Sequence, residues 1–201
     1  MPFSKVHLQF GWAIVSSLVR GGLSLRGGHR PVAGHQISNA FVGVGVAAAD
    51  DSEVDDYILD RLREAGIRHV RIDFSPGDEK KAAARLLSRL IADELKVTLH
   101  LVQPFDDAKQ MPAPEASEKW QRFVSTTLDR FGATVEIVEA GSTTNRKRWA
   151  GHSIPGFLAM WEIVWKEVRA RGLTLAGPSV TDFEPLWNIG LLALLRKRGQ
   201  L

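Results

Sequence analysis

The residues of this chain that can do chemistry are few and recur at regular intervals. Arg71-x-Asp73 sets a cation and a carboxylate two positions apart, so in an extended backbone both lie on one face. Such a pair can orient a substrate hydroxyl, or it can be an ion pair within a sheet; both readings stand. His100 lies inside an apolar run, where a histidine is more often a satisfied core group than a base. Gln103 closes that run. Glu136-Ile-Val-Glu139 leads into Ala-Gly-Ser142, then Asn145 and Trp149, and Gly177-Pro-Ser-Val-Thr-Asp182 follows a further apolar run. Asn145 suits either a sugar hydroxyl or the cap of a turn. Polar side chains gathered at one end of consecutive apolar strands are what a sugar or small polar ligand requires. Metal binding is not expected, because His100, Glu136 and Asp182 fall in separate segments without paired-ligand spacing. With no cysteine there is no disulfide, thiolate zinc site or cysteine nucleophile, and no Ser-His-Asp motif, P-loop or nucleophile elbow occurs.

The elements that must hold these residues follow from apolar spacing. Phe41–Val46, His69–Phe74, Lys96–Val102, Thr134–Val138 and Leu173–Pro178 read as buried strands. Between them lie amphipathic helices. The first opens at Ser52, with Asp55 in a capping-box position, and carries Val54, Ile58, Leu62 and Ala65 on one face up to Gly66. The next carries Leu86, Leu87, Leu90 and Ile91. A third carries Trp120, Phe123, Val124, Leu128 and Phe131, and a fourth, opened by Ser153, carries Phe157, Met160, Trp161, Val164 and Val168. Pro185–Arg198 forms the last. Methionine and tryptophan at helical spacing are core residues and receive no ligand role.

Five strands alternating with five helices imply a parallel sheet joined by crossovers. Two arrangements satisfy this: an open doubly wound sheet, or an incomplete (β/α)8 TIM barrel of about five β/α units. The second is the fold class expected for residues 39–201, with residues 1–38 as an N-terminal extension. A complete barrel takes roughly 200–250 residues or more. Gly43-Val-Gly-Val-Ala-Ala48 matches the Gly-x-Gly-x-x-Ala dinucleotide pattern, yet the helix cap lies beyond it at Ser52 among Asp50, Asp51, Glu53, Asp55 and Asp56. Acidic residues at that helix start repel phosphate. Nucleotide binding therefore ranks behind a reading of these glycines as small residues in a crowded strand.

An ordered set of segments resembles the clan A glycoside hydrolases, (β/α)8 barrels that cleave O-glycosidic bonds. The segments are Leu62-Arg-Glu-Ala-Gly-Ile-Arg-His-Val-Arg-Ile-Asp73, Leu99-His-Leu-Val-Gln-Pro104, Val135-Glu-Ile-Val-Glu139 and Leu175-Ala-Gly-Pro-Ser179. They follow the family's order of strands one to five. The resemblance implies a retaining mechanism with two carboxylates about 5–5.5 Å apart. It makes Glu139 the general acid/base, with Arg71, Asp73, His100, Gln103 and Asn145 lining the sugar subsite. It implies no cofactor and a polysaccharide or glycan substrate. The sequence departs from the family twice. Where the family has an Asn-Glu pair this chain has Val138-Glu139 or, with a one-residue slip, Glu139-Ala140; either way the Asn is missing, and Glu139 turns inward only if a bulge rotates it. The family's nucleophile belongs to a seventh strand, which has no counterpart among these five units. A saccharide-binding domain without turnover is the alternative.

The remaining signals bear on partners and location. The net charge of +3 and pI near 9.4 accompany 23 acidic residues spread along the chain, which gives no reason to expect nucleic acid. Arg146-Lys-Arg148 and Arg196-Lys-Arg198 read as solvated faces, the latter at a helix C-terminus. No apolar run approaches the roughly 18 residues of a spanning helix. A short basic start and the apolar Phe10–Val19 outline a secretory signal, but the core is short and Arg20 follows at once. The reading adopted is an amphipathic leader beside the first strand, or a poorly ordered extension, in a cytoplasmic protein; export is the alternative. A half-open barrel leaves its first and fifth strands as edges, which invites homo-oligomers.

Overall fold

The computed structural model describes residues 5–24, 42–182 and 184–201. The expected domain boundary after residue 38 and Phe41 lie outside the described residues. Five strands form one sheet: β1 (Gly43–Val46), β2 (His69–Phe74), β3 (Lys96–Leu101), β4 (Ile137–Ala140) and β5 (Leu175–Ala176). All four pairings are parallel and the spatial order is β1-β2-β3-β4-β5. Parallel strands laid down strictly in chain order, each joined to the next through helix, are the beginning of a (β/α)8 barrel. A doubly wound sheet reverses direction at a switch point where its nucleotide sits. No reversal occurs beside the β1 turn, which removes the nucleotide reading of Gly43 and Gly45.

The period-two pattern of the strands divides the sheet into two faces. Val70, Ile72 and Phe74 of β2, Val97, Leu99 and Leu101 of β3, and Val138 and Ala140 of β4 are all buried. They pack beneath α3 (Ala82–Ala92), α5 (Pro114–Phe131) and α7 (Ile154–Ala170). Phe74 sits between Phe123 and Phe131, ring centroids 6.2 and 5.8 Å away. Trp120, Met160 and Trp161 are buried in the same core. Each such side chain contributes about 1.5–3 kcal/mol by leaving water. Residues 69, 71, 73, 98, 100, 137 and 139 point to the opposite face, the interior side of a barrel.

Several local expectations need correction. The fourth strand begins at Ile137 rather than Thr134, because Gly132–Thr134 extends α5 by a turn of 3₁₀ helix. The strand therefore runs through Glu139. In α2 (Glu53–Glu64) the buried face is Asp55, Leu59 and Leu62, with Ile58 partly buried. Asp55 is no capping residue: its carboxylate is fully buried and accepts Arg85 Nε at 2.7 Å. The amide of Glu53 is capped instead by Asp51 Oδ1 at 2.9 Å. Arg85 also donates to the carbonyls of Ala49 and Asp50, pinning the β1–α2 loop. The stretch after Pro104 holds a short helix, α4 (Phe105–Gln110), and α6 (Lys147–Ala150) follows β4. The leader is a helix, α1 (Lys5–Ser24), but it packs against α8 (Pro185–Lys197) and not beside the first strand. Phe10 lies 5.0 Å from the Trp187 ring, and Gly190 admits it: a Cβ there would meet the Phe10 ring at 2.5 Å.

Candidate functional site

Register brings four of the expected residues together. Asp73, His100 and Glu139 are paired across β2, β3 and β4 in one row, and Arg71 stands one row below on the same face. The β3–β4 register runs unbroken through Glu139, so no bulge is needed to turn it inward. Arg71 organises the group. Its Nε donates to Glu139 Oε2 at 2.6 Å, and its Nη1 donates to Asp73 Oδ1 at 2.6 Å. Ser179, just beyond β5, donates to Glu139 Oε1 at 3.3 Å. The cluster is graded in exposure: His100 is buried, Glu139 nearly so, Arg71 partly exposed and Asp73 mostly exposed.

The electrostatics follow from these contacts. Burial works against the Arg71 charge, but Glu139 and Asp73 more than offset it and hold the guanidinium above its ordinary range. Asp73 is held below the usual carboxylate range by the His100 hydrogen bond first, against partial burial, with Arg71 adding to it. His100 Nδ1 lies 2.9 Å from Asp73 Oδ1 and 2.6 Å from Arg71 Nη2. One nitrogen cannot serve both: protonated it donates to Asp73, bare it accepts from Arg71. The row therefore carries two alternative hydrogen-bond arrangements, set by one proton.

Beside this row, at the C-terminal edge of β3 and β4, lies a cavity of about 200 Å³ lined by Asp73, His100, Gln103, Thr143, Trp149 and His152 among others. Its polar groups are short of partners among the described residues. Both amide atoms of Gln103 and His152 Nδ1 are buried without a hydrogen bond, and so is Thr144 Oγ1 in the adjoining turn. Buried polar atoms are normally paired with protein or water, so a cluster left open faces water or a ligand. Burial pushes the His152 imidazole down to about 4, so it is neutral at pH 7. Thr143, on the cavity wall, has φ 56. Left-handed backbone at a β-branched residue costs about 1–3 kcal/mol and clusters at functional sites. Trp149 lies at the cavity with its ring largely exposed.

Other expected residues lie elsewhere. Asn145 is committed to the backbone: Nδ2 donates to Thr181 O at 2.8 Å and Oδ1 accepts Thr181 N at 2.9 Å. It ties the loop after β4 to the loop after β5. Glu136 sits at the opposite end of the sheet, 3.5 Å from Lys96 Nζ and 3.7 Å from His69 Nδ1. Arg146 pairs with Asp182 and Glu184, so the first basic tract is partly neutralised. Among the described residues no cluster of His, Asp and Glu could hold a metal ion. His152, Thr143 and Thr144 escaped the sequence reading because they belong to a loop without period; the only pointer was the Thr-Thr-Asn run after a strand end.

These features define the class of protein: an incomplete (β/α)8 barrel of five parallel units, with a polar cluster at the strand ends where such folds place their sites. No family model matches the sequence, and no curated protein matches it. Solved structures do show similarity. One is a family 39 glycoside hydrolase from the gut symbiont Bacteroides cellulosilyticus WH2, at 15% identity and TM-score 0.48, covering 66% of this chain and 30% of that one. Another is an L-ribulose 3-epimerase at 17% identity and TM-score 0.45, covering 66% and 48%. A third is a D-psicose 3-epimerase from Clostridium cellulolyticum H10, crystallised with D-tagatose, at 11% identity and TM-score 0.37, covering 75% and 49%. The chain thus spans less than half the length of each of these proteins. The barrel assignment rests on the strand order itself.

Proposed function

We propose that the C-terminal edge of this sheet binds a saccharide as part of an O-glycoside-processing site, with Glu139 the carboxylate addressed to the glycosidic oxygen. One observation carries the reading: Arg71, Asp73, His100 and Glu139 converge from three strands beside a cavity whose buried groups await partners. Those open groups are an amide and a neutral imidazole, with the Thr144 hydroxyl in the adjoining turn. Together they offer donors and acceptors without net charge, which suits hydroxyls rather than phosphate or a metal ion. The exposed Trp149 ring adds an apolar plate for a sugar face.

Binding without turnover is the second reading, favoured by the pairing of Glu139. Its oxygens already face Arg71 and Ser179, and the one other carboxylate in its row, Asp73, is bound by the same Arg71. Titration calorimetry of the purified chain against neutral mono- and oligosaccharides tests the binding. A fit that weakens about tenfold or more in Gln103→Ala supports it, and a folded chain that binds no saccharide overturns it. Release of nitrophenol from aryl glycosides, abolished by Glu139→Gln, separates the first reading from the second.

A further inference from the structure

Helix α1 is apolar on two sides. Phe10, Ala13 and Ile14 pack inward on α8, while Leu8, Trp12, Val15 and Val19 form a stripe on the other side that no described residue covers. Trp12 is 72% exposed and Leu8 68%. A helix apolar all round is normally buried on both sides. The charges around the stripe are of one sign. Lys5 and Arg20 stand near its two ends, and Arg196 and Lys197 rim the groove between α1 and α8, beside Trp12 and Leu192. All four are exposed and make no ion pair among the described residues. No Asp or Glu occurs before Asp50 or after Glu184.

We propose that the outer face of α1, with the adjoining surface of α8, docks onto an anionic lipid surface. The helix lies in the interfacial plane, Leu8, Trp12, Val15 and Val19 enter the acyl boundary, and Lys5, Arg20, Arg196 and Lys197 meet lipid headgroups. Tryptophan is favoured at that depth. The mode is surface binding, since no described helix is long and apolar enough to cross a membrane. A second copy is the poorer occupant. Packing two such faces together brings cation onto cation, with no carboxylate on either helix to relieve it.

The test is co-sedimentation of the full chain with phosphatidylcholine vesicles, with and without phosphatidylglycerol, at low and high salt. Binding to the anionic vesicles only, weakened by salt, is expected. Each basic residue near the surface is worth about 1 kcal/mol, so Arg196→Gln with Lys197→Gln should weaken binding roughly thirtyfold. Trp12→Ser should abolish it while leaving the far-ultraviolet circular dichroism unchanged, because the ring is exposed. Failure to bind either vesicle, or equal binding to both, overturns the proposal. So does a concentration-dependent dimer that Trp12→Ser dissolves, which would assign the face to a second copy.

Discussion

Arg71 is the residue on which the site's geometry depends, and its removal can be worked through. Arg71→Met deletes the 2.6 Å bond to Glu139, whose side chain is 13% exposed, and the 2.6 Å bond to Asp73, which is 60% exposed. The second is a surface pair and contributes little. The first is a charge-assisted bond of about 1.5–3 kcal/mol, and its loss strands a largely buried carboxylate with only Ser179 at 3.3 Å. The Arg71 side chain is 37% exposed, so solvent screening roughly halves that figure, to about 0.8–1.5 kcal/mol. For a chain of this size that lowers the melting temperature by roughly 2–6 °C. The decisive measurement is a double-mutant cycle by urea unfolding with Arg71→Met and Glu139→Gln. Coupling near 1 kcal/mol is expected, because the second change removes the charge that the first leaves unpaired. Additivity within about 0.5 kcal/mol would refute the claim that these side chains act as a unit.

Further outcomes are expected elsewhere in the fold. His152 binds its proton only near pH 4 when folded, against about 6.5 when unfolded, so its stability contribution is complete above pH 6.5 and is lost as pH falls toward 4. The slope integrates to about 3 kcal/mol, and His152→Gln should flatten the pH dependence of the urea midpoint across that window. Asp73 acts lower on the scale: its depressed value makes its contribution present above the ordinary carboxylate range and lost as pH falls through the folded value. Asp73→Asn should therefore remove only the last part of the acid transition, read by the same titration. Gly177 follows β5 with φ +112, and a Cβ there would lie 2.2 Å from Ala140 O. Gly177→Ala should cost more than about 2 kcal/mol and displace Ser179 from Glu139, lowering both stability and any saccharide affinity.

The strands were legible because burial on one face imposes period two, and the helices because their apolar residues recur every three or four positions. Arg71 and Asp73 could be placed on one face from spacing alone, and the register then added His100 and Glu139. Three things could not be read. The start of β4 was displaced because the 3₁₀ turn at Gly132–Thr134 has no signature distinct from the apolar Thr134-Val135 that follows. Asp55 was mistaken for a cap because its partner Arg85 lies 30 residues away on α3. The open polar atoms of Gln103, Thr144 and His152 depend on where two loops meet, and loop closure leaves no periodic trace.

The glycines of β1 join these observations. Gly45 is paired with Arg71 across the β1–β2 ladder, and a Cβ there would meet nothing within 4 Å. A larger residue at that position would project over Arg71 on the same face. Its absence opens a cavity of about 450 Å³ lined by Gly45, Ala47, Asp50, Arg71, Asp73 and Lys81. Asp73 thus lines two hollows, this one toward β1, which it shares with Arg71, and the smaller one toward His152. In a closed barrel the inner face is filled by layers of bulky side chains. Here β1 contributes Gly43 and Gly45 in place of bulk, so Arg71 and Asp73 stay open toward β1. The Gly-x-Gly pattern that resembles a phosphate loop acts through what it leaves out, which is bulk over Arg71.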